Sequence, residues 1–435
     1  MLLLNDVGWY ASALFLTVAA AQSLWGKAFK YFPIKTVYLI SIAVFEVGSL
    51  ICGVARNGTT LIVGRAITGF GVAGTFRGSY IIIGVSAPPE KRPAITGFLG
   101  SAYAIASVIG PLIGGALTDR VSWRWCSFFI NLPCGALAAA SIVFLFKVPD
   151  AVKPAEATLK EKLLQMDIPG FIFITASIVC YLLALQWGVA IKRWSNSDVI
   201  GTLVDFALFL VLFGLIEWYQ GERALLLRSI FRNPTIVKGC AFCFLIAGSF
   251  YILLYYLTIY FQAIRGADAT GSGIRTLPLI LGLTLVQIIT GISVGKIGVI
   301  NPFLIVGGIL TTISCGLLMT LQPDSSSSKR IGYQALAGIG LGFCFNVYII
   351  VVQNIVKTDE IATATSMLLF FQSMGNALIA SAAHSHFQNE LLDIIPHTNP
   401  SISPSSIFSI GASQVQTSFA PDELPGIIAA YMKGI

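Results

Sequence analysis

The sequence is poor in charged residues and in histidine. Only 11% of its 435 residues are Asp, Glu, Lys or Arg, whereas soluble domains carry about 25%. It contains three histidines, and it has no H-E-x-x-H or P-loop pattern, the motifs of zinc hydrolysis and phosphate binding. These absences argue against a soluble domain. An enzyme is the least expected class, because no catalytic constellation is present.

Signals for secretion, disulfides and metals are also missing. The N-terminal residues MLLLND lack the basic and apolar segments of a cleavable signal peptide. Most of the eight cysteines lie in apolar runs, where they behave as small hydrophobic side chains. Cys240 and Cys243 form a C-x-x-C without a second pair, and His384 and His386 point to different helix faces. We therefore predict no metal and no cofactor.

Apolar residues are abundant and come in long runs. The chain is 56% hydrophobic, with a mean hydropathy of +0.82. The runs are about 20 residues long, the length of a helix that crosses a bilayer. The sequence thus predicts an all-α polytopic membrane protein. The twelve predicted spans are residues 8–25, 36–55, 60–86, 94–117, 126–146, 168–190, 199–218, 235–261, 277–294, 303–321, 331–352 and 362–386.

Basic residues are unevenly divided between the two sets of alternating loops. One set holds fifteen Lys and Arg and the other holds nine, so the positive-inside rule places the first set in the cytoplasm. This topology puts both termini on the outer side.

Two basic connectors divide the spans into groups of five, two and five, the pattern of duplicated transporter halves around a central pair. The predicted domains are an N-terminal bundle (1–146), a cytoplasmic connector (147–166), two central helices (167–218), a second connector (219–234), a C-terminal bundle (235–388), and an outer loop with a truncated tail (389–435).

Charged residues inside spans are candidates for proton coupling, because a charge at that depth costs several kcal/mol unless it is paired or hydrated. Arg65 lies in LIVGRAITGFGVAG, and Glu46 lies in ISIAVFEVGSLICG. Asp6 lies at the outer edge of the first span. We predict that these three couple transport to protons. The structural alternatives are an arginine bound by backbone carbonyls and a neutral, hydrogen-bonded carboxyl group. Arg77 also lies within a span and receives no role.

Two further patterns in the spans bear on function. The G-x-G-x-x-G at residues 69–74 lies inside an apolar helix rather than after a strand, so we interpret it as a packing surface. Polar and aromatic side chains in the spans predict a substrate cavity, with interfacial anchoring as the alternative for the tyrosines. The cavity candidates are Gln22, Tyr255, Tyr256, Gln262, Asn346, Gln353 and Gln372.

The segment SVIGPLIGGALTD (107–119) places a proline and several glycines inside a span. Gly110 and Gly114 form a G-x-x-x-G with Gly115 beside it, which permits another helix to approach closely. Pro111 frees a carbonyl and predicts a bend. The segment is therefore expected to combine a close helix contact with a bend, which the resemblance described below identifies as a hinge and a tight seal in the outer half of the span.

Together these segments resemble the major facilitator superfamily, and specifically the fungal fourteen-span drug:proton antiporters. The segments that carry the resemblance are DVGWYASALFLTVAAAQSLWGKAFKYF, LIVGRAITGFGVAG, GPLIGGAL, WRWCSFFINLP, LALQWG, YYLTIYFQAIRG, SGIRTLP and IGYQALAGIGLG. The resemblance implies two helix bundles plus two extra central helices at 168–190 and 199–218.

The resemblance also implies roles for individual residues. Arg65 matches the proton-coupling arginine of the family's fourth span. The antiporter motif of the fifth span corresponds to Gly110, Pro111, Gly114 and Gly115. The cytoplasmic gating loop corresponds to Gly26, Lys27, Lys30 and Lys35. Lys30 stands where that loop usually has Asp, Pro33 where it has Gly, and Ile34 where it has Arg. The family's first and last spans have no counterpart in the chain.

By this resemblance the expected function is export of small amphipathic organic molecules, such as toxins, secondary metabolites or drugs, by proton antiport. The alternatives are a siderophore or nutrient transporter on the same fold, or a truncated relative that senses without transporting. We expect a monomer that interacts with its substrate, protons and the lipid bilayer, and not with nucleic acid. The plasma membrane is the expected location, with vacuolar or vesicle membranes as alternatives.

Overall fold

The computed structural model describes residues 7–120, 124, 130–149, 153–190, 193–357, 360–399, 402, 410 and 412–435. Within these residues the chain is helical and contains no strand. The predicted all-α class is therefore confirmed, and each of the twelve predicted spans overlaps at least one described helix.

The N-terminal bundle is built from five helices that pack through small residues. A Cβ atom added to Gly48 would overlap Thr68, and one added to Gly71 would overlap Phe45, so the second and third helices lie in close contact. The helices are α1 (Val7–Tyr31), α2 (Ile34–Val54), α3 (Gly58–Ser86), α4 (Arg92–Arg120) and α5 (Asn131–Phe144).

The central pair follows, flanked by two short helices in the connectors. Asn196 caps α8 by accepting a hydrogen bond from the Asp198 amide, and Gly221 ends it with φ of 59°, a backbone conformation that glycine adopts without strain. The helices are α6 (Leu159–Leu164), α7 (Ile168–Ala190), α8 (Ser197–Gln220) and α9 (Arg228–Phe231).

The C-terminal bundle contains the remaining helices. They are α10 (Pro234–Ile259), α11 (Ala269–Arg275), α12 (Leu277–Ile297), α13 (Asn301–Leu318), α14 (Ser327–Cys344), α15 (Val347–Ile355), α16 (Ile361–Thr398), α17 (Val415–Ser418) and α18 (Leu424–Gly434). A π-helical turn over Tyr260–Ile264 extends α10. The two bundles meet where α1 and α3 contact α16, and where α4 contacts α12.

Nine of the described helical segments are long and apolar enough to cross a membrane. They are Ile34–Val54, Gly58–Ser86, Leu159–Gly188, Ser197–Arg223, Pro234–Ile264, Leu277–Ile297, Asn301–Leu318, Ser327–Ile355 and Ile361–Thr398. α1 and α4 add helices of 25 and 29 residues. α5 is a shorter apolar helix of 14 residues.

The structure differs from the sequence prediction in two of the spans. The predicted span 331–352 is broken between α14 and α15, with Asn346 in the break at φ −115° and ψ 2°. The last span, predicted to end at 386, continues through Pro396 to Thr398. It continues because Phe387, Leu391 and Ile395, spaced four residues apart, are buried in a core shared with α18.

Candidate transport site

One end of the interface between the bundles is closed by hydrogen bonds. This is the end where α1 ends and α2 begins, the predicted cytoplasmic end. Gln353 on α15 donates from Nε2 to the Tyr80 carbonyl oxygen on α3 at 3.1 Å and to Thr365 Oγ1 at 3.2 Å. Arg92 at the start of α4 donates to the Gln353 carbonyl oxygen at 3.1 Å. Gln353 thus joins the two bundles through both its side chain and its backbone.

Glycines bring α4 and α12 together at the same end. A Cβ atom on Gly97 would lie 2.9 Å from the Gln287 carbonyl oxygen, and one on Gly291 would overlap the Pro93 backbone. Ser101 on α4 donates to the Thr284 carbonyl oxygen on α12 at 3.1 Å. We call the contacts of Gln353, Arg92 and this glycine-lined crossing the inner seal.

Beyond the inner seal, aromatic side chains of both bundles form a connected and partly exposed set. Phe15 on α1 and Tyr251 on α10 lie edge to face with ring centroids 5.8 Å apart, and Tyr251 stacks on Tyr255 at 6.4 Å. Tyr255 contacts His384 on α16 at 6.1 Å. Phe15, Tyr255 and Tyr103 on α4 are 42%, 40% and 44% exposed. We call this set the aromatic cleft; its members are Phe15, Tyr103, Tyr251, Tyr255 and His384.

A buried arginine lies between the aromatic cleft and the inner seal. Arg77 on α3 is 0% exposed. Its Nη2 donates to Gln22 Oε1 at 2.5 Å, and its Nη1 donates to the Gln22 carbonyl oxygen. Gln22 on α1 donates in turn from Nε2 to Ser373 Oγ on α16. Arg77, Gln22 and Ser373, which we call the arginine cluster, therefore link both bundles.

The other predicted cavity residues fall at several places. Asn346 accepts a hydrogen bond from the Tyr80 hydroxyl at 3.4 Å, next to the inner seal. Gln372 on α16 is buried, and its Nε2 has no hydrogen-bond partner among the described residues. Tyr256 is buried against Phe387 at 5.5 Å between ring centroids. Of these three residues, Asn346 contacts the opposite bundle, and Gln372 and Tyr256 are buried on helices of the C-terminal bundle.

Gln262 does not join this group. It lies in the π-helical turn after α10 and donates from Nε2 to Ser272 Oγ on α11 at 2.9 Å. This hydrogen bond ties the turn to α11 at the opposite end of α10 from the inner seal. The spacing of polar residues in the sequence could not separate such a local contact from a cavity-facing side chain.

The structure describes two of the three residues predicted to couple protons. Glu46 packs against α5, where a Cβ atom on Gly135 would overlap its carboxyl group, and neither carboxyl oxygen has a hydrogen-bond partner among the described residues. Arg65 is partly buried on α3 and lies near the Cys52 thiol on α2. Asp6 lies outside the described residues. Proton coupling by these residues stays a prediction.

The antiporter glycines lie on α4, which runs as one helix through Pro111. A Cβ atom on Gly110 would have no described atom within 4 Å. The predicted hinge and seal stay a prediction. Glycines nearer the start of α4, such as Gly97, make a close approach to α12. The side-chain surroundings of Pro111, Gly114 and Gly115 lie outside the described residues.

The predicted gating loop is almost entirely helical. Gly26, Lys27 and Lys30 belong to α1, and Lys35 belongs to α2. Only Phe32 and Pro33 lie between the two helices. The chain turns there because proline cannot donate the hydrogen bond that would continue α1.

Gly26 and Lys27 make tertiary contacts at the end of α1. A Cβ atom on Gly26 would overlap Ser366 of α16. Lys27 is 1% exposed and donates from Nζ to the Glu222 carbonyl oxygen at 3.3 Å. The carboxyl groups of Asp167, Glu217 and Glu222 lie near enough to stabilise its charge. Lys27 therefore binds the cytoplasmic ends of the central helices to α1.

Lys35 binds the end of α5, and the backbone of Lys30 binds the first connector. Lys35 donates from Nζ to the carbonyl oxygens of Val143 at 2.8 Å and Phe146 at 3.3 Å, at the end of α5. This satisfies acceptors that a helix end leaves free. The Lys30 carbonyl oxygen accepts from the Ala155 amide at 3.0 Å.

Comparison with known proteins decides the family. The Major Facilitator Superfamily model matches residues 4–380. The chain belongs to this superfamily. It is 44% identical to the probable efflux pump gsfJ of Penicillium aethiopicum, over 99% of this chain and 77% of that protein. It is 39% identical to the dehydrocurvularin exporter of Alternaria cinerariae, over 99% and 74% of the respective chains.

A solved member of the superfamily has the same fold. The proton:xylose symporter XylE matches 97% of this chain and 88% of its own, with a TM-score of 0.62 at 14% identity. The resemblance drawn from the sequence is thus confirmed at the level of the superfamily. Superfamily members are multi-pass membrane transporters of small molecules, and this chain is one of them.

Arg77 and Tyr103 are two of the site residues to which the sequence prediction gave no role. For Arg77 a signal existed, since a charge inside an apolar run points to function whichever arginine carries it. Choosing Arg65 followed from the family motif around it. Tyr103 gave no signal, because a single tyrosine in an apolar helix is ordinary at a membrane interface.

Proposed function

We propose that the protein exports small amphipathic organic molecules across the plasma membrane by proton antiport, as a monomer and without changing them chemically. The observation that carries the proposal is the inner seal with the aromatic cleft beyond it. A transporter that rocks two bundles around a central site passes through a state closed on one side and open on the other. The names of the relatives, efflux pump and exporter, support the outward direction.

The aromatic cleft suits an amphipathic substrate. Rings from α1, α4, α10 and α16 offer flat apolar surfaces, and the tyrosine hydroxyls add polar groups at their edges. Such a wall tolerates different substrates, because stacking does not require one fixed pattern of hydrogen bonds. Asn346 adds an amide group at the bundle interface, and Gln372 is a buried amide on α16.

Glu46 is the proposed proton-binding group. Its carboxyl oxygens have no hydrogen-bond partner among the described residues, and a carboxylate without partners in an apolar setting is strongly disfavoured. The group would bind a proton in this state and release it when Glu46 becomes hydrated. Arg65, one helix away on α3, would favour that release electrostatically.

The test is an efflux assay with a panel of amphipathic compounds, in yeast cells that lack their own drug pumps. Cells that make the full chain should retain less of at least one compound than cells with an empty vector. A protonophore should abolish the difference. Arg65→Ala should reach the membrane in normal amounts and lose export.

Other outcomes would contradict the proposal in different ways. Higher accumulation of a compound would indicate uptake, as expected for a nutrient or siderophore transporter. Export that persists in the presence of a protonophore would argue against proton antiport. No change with any compound, despite normal insertion, would favour the non-transporting alternative.

A further inference from the structure

Arg77 carries a positive charge at a place where the described residues offer it only neutral partners. Both terminal nitrogens donate to Gln22, and Nε has no hydrogen-bond partner among the described residues. No acidic side chain within the described ranges forms an ion pair with it. Burying a charge that has only neutral partners costs free energy, and a neighbouring group of opposite charge removes much of that cost.

Small groups surround Arg77 on the side of α16. A Cβ atom on Gly26 would lie 3.5 Å from Arg77 Nη1 and would overlap Ser366. The Ser366 hydroxyl is buried and has no hydrogen-bond partner among the described residues. Arg77 and Ser366 together offer free donors of the kind that a carboxylate accepts from.

The bonds around Arg77 depend on the contact between the bundles. Gln22 of α1 and Arg77 of α3 belong to one bundle, whereas Ser373 and Ser366 belong to α16 in the other. When the bundles separate at the inner seal, Gln22 loses Ser373. Arg77 then faces the opening between the bundles instead of α16.

The arginine cluster also lies within reach of the aromatic cleft. Phe15 and Gln22 are seven residues apart on α1, which corresponds to about 10 Å along a helix. A flat organic molecule of two or three rings has that length. Its rings can lie among Phe15, Tyr103 and Tyr251 while an acidic group at one end reaches Arg77.

From these relationships we propose that Arg77 and Gln22 form an anion-recognition site, so that the exported substrates are aromatic organic acids. The proposal rests on the proposed export function and names its substrate class. The guanidinium binds the carboxylate of the substrate, and Gln22 holds the guanidinium in place until the substrate arrives. A structural tether between α1 and α3 is the competing explanation.

Direct binding to the purified full chain in detergent tests this proposal without relying on transport. The probes are benzoate, 2-naphthoate and 4-biphenylcarboxylate, each compared with its uncharged primary amide by isothermal titration calorimetry. We expect the wild-type protein to bind at least one acid about tenfold more tightly than its amide, the scale of a charge-assisted hydrogen bond. Efflux of the same pairs is measured in cells in parallel.

Substitutions assign the preference to Arg77. Arg77→Gln should remove the preference for the acid while the amide still binds, and Arg77→Lys should keep part of it. Gln22→Ala should weaken acid binding with Arg77 intact. Arg228→Gln, at an exposed arginine of the second connector, is the matched control and should leave the preference unchanged.

The outcomes separate this inference from the export proposal. Acid-selective binding without efflux supports the site and contradicts export. Efflux of the amides without any acid-selective binding supports export and overturns the site. The site is also overturned if Arg77→Gln weakens acid and amide equally in well-folded protein, or if none of the three acids binds the wild type.

Discussion

Gln353 donates its side-chain amide to the carbonyl oxygen of Tyr80, although the two residues are 273 positions apart in the chain. This hydrogen bond joins α15 of the C-terminal bundle to the backbone of α3 in the N-terminal bundle. It lies at the predicted cytoplasmic end, so opening toward the cytoplasm must break it. In the predicted topology the bond therefore stabilises the outward-facing arrangement.

Gln353→Leu should weaken the inner seal. The loss of one hydrogen bond shifts the opening equilibrium about two- to tenfold, since such a bond contributes about 0.5–1.5 kcal/mol. Reaction of Ser366→Cys with a water-soluble maleimide, followed by mass spectrometry, measures the opening. Gln322→Leu, at an exposed position in the turn after α13, is the control. Equal labelling rates in the two backgrounds would contradict the role of Gln353.

Substitution by alanine should lower the free energy of unfolding at Gly291 but not at Gly308. Gly291→Ala places a methyl group against the Pro93 backbone, whereas the same methyl group at Gly308 meets no atom of the described residues within 4 Å. Overpacking at Gly291 should cost about 1–3 kcal/mol of unfolding free energy. Gly308→Ala should leave it unchanged or raise it by up to about 1 kcal/mol. Equilibrium unfolding in detergent measures both, and equal effects would argue against a close crossing of α4 and α12.

Gly110 should tolerate a side chain in this conformation but not throughout the transport cycle. Its Cβ position is open, so Gly110→Leu should insert and melt like the wild type. If α4 approaches another helix there after the bundles rock, the leucine will slow efflux. Gly201→Leu, at an equally open position on α8, should not slow it. Normal efflux by Gly110→Leu would leave the antiporter glycine without a role in cycling.

Glu46→Gln should uncouple transport from protons. The amide cannot release a proton, so efflux should lose its dependence on the pH difference across the membrane. Proteoliposomes with the interior set at several pH values measure this. Glu156→Gln, at an exposed position in the first connector, should keep the dependence. A Glu46→Gln protein that still responds fully to pH would exclude Glu46 as the proton-binding group.

The ion pair between Glu161 and Arg223 should make the connectors sensitive to acid. Arg223 Nη2 lies 2.7 Å from Glu161 Oε2, and the hydrogen bonds from Arg223, with a smaller one from Gln165, lower the pKa of the Glu161 carboxyl group. Because the folded-state pKa is lowered, the stabilisation is complete above the ordinary glutamate pKa of about 4.3. It is lost as the pH falls through the lowered value.

Nitroxide labels on Leu163→Cys and Arg228→Cys report the distance between the two connectors. The distribution of distances between the two labels should broaden in acid, and Glu161→Gln should broaden this distribution at neutral pH. Because the pair is exposed, high salt should weaken it as well. A distance that is the same for Glu161→Gln and the wild type at pH 7 would show that other contacts hold the connectors.

The path of the chain through the membrane could be predicted from the sequence in most of its length. Span positions follow from local hydropathy, because about 20 apolar residues cross the bilayer wherever they pack. The break at Asn346 was missed, since neither a proline nor a glycine lies at it. The extension of α16 to Thr398 was missed because its apolar face is covered by α18, which a local hydropathy average does not register.

The candidate site was predictable only in its residue types. Glutamine, asparagine, tyrosine and arginine inside spans indicated a polar, amphipathic transport path. Which side chains meet was not predictable, because helix rotation and neighbour choice depend on packing between distant segments. Gln262 was placed in the cavity for that reason, although it binds Ser272, ten residues away in the chain.

By itself, the sequence determined that this protein crosses the membrane many times, that it belongs among the helical transporters, and that charges lie at depth. Those properties follow from composition, run length and motif. Only the tertiary structure decided that Arg77 meets Gln22 and, through it, Ser373, which lies 351 positions from Gln22. The physical reason is that a buried charge is stabilised by whichever polar groups the packing of the two bundles brings to it, and that packing is not encoded in any local stretch of the chain.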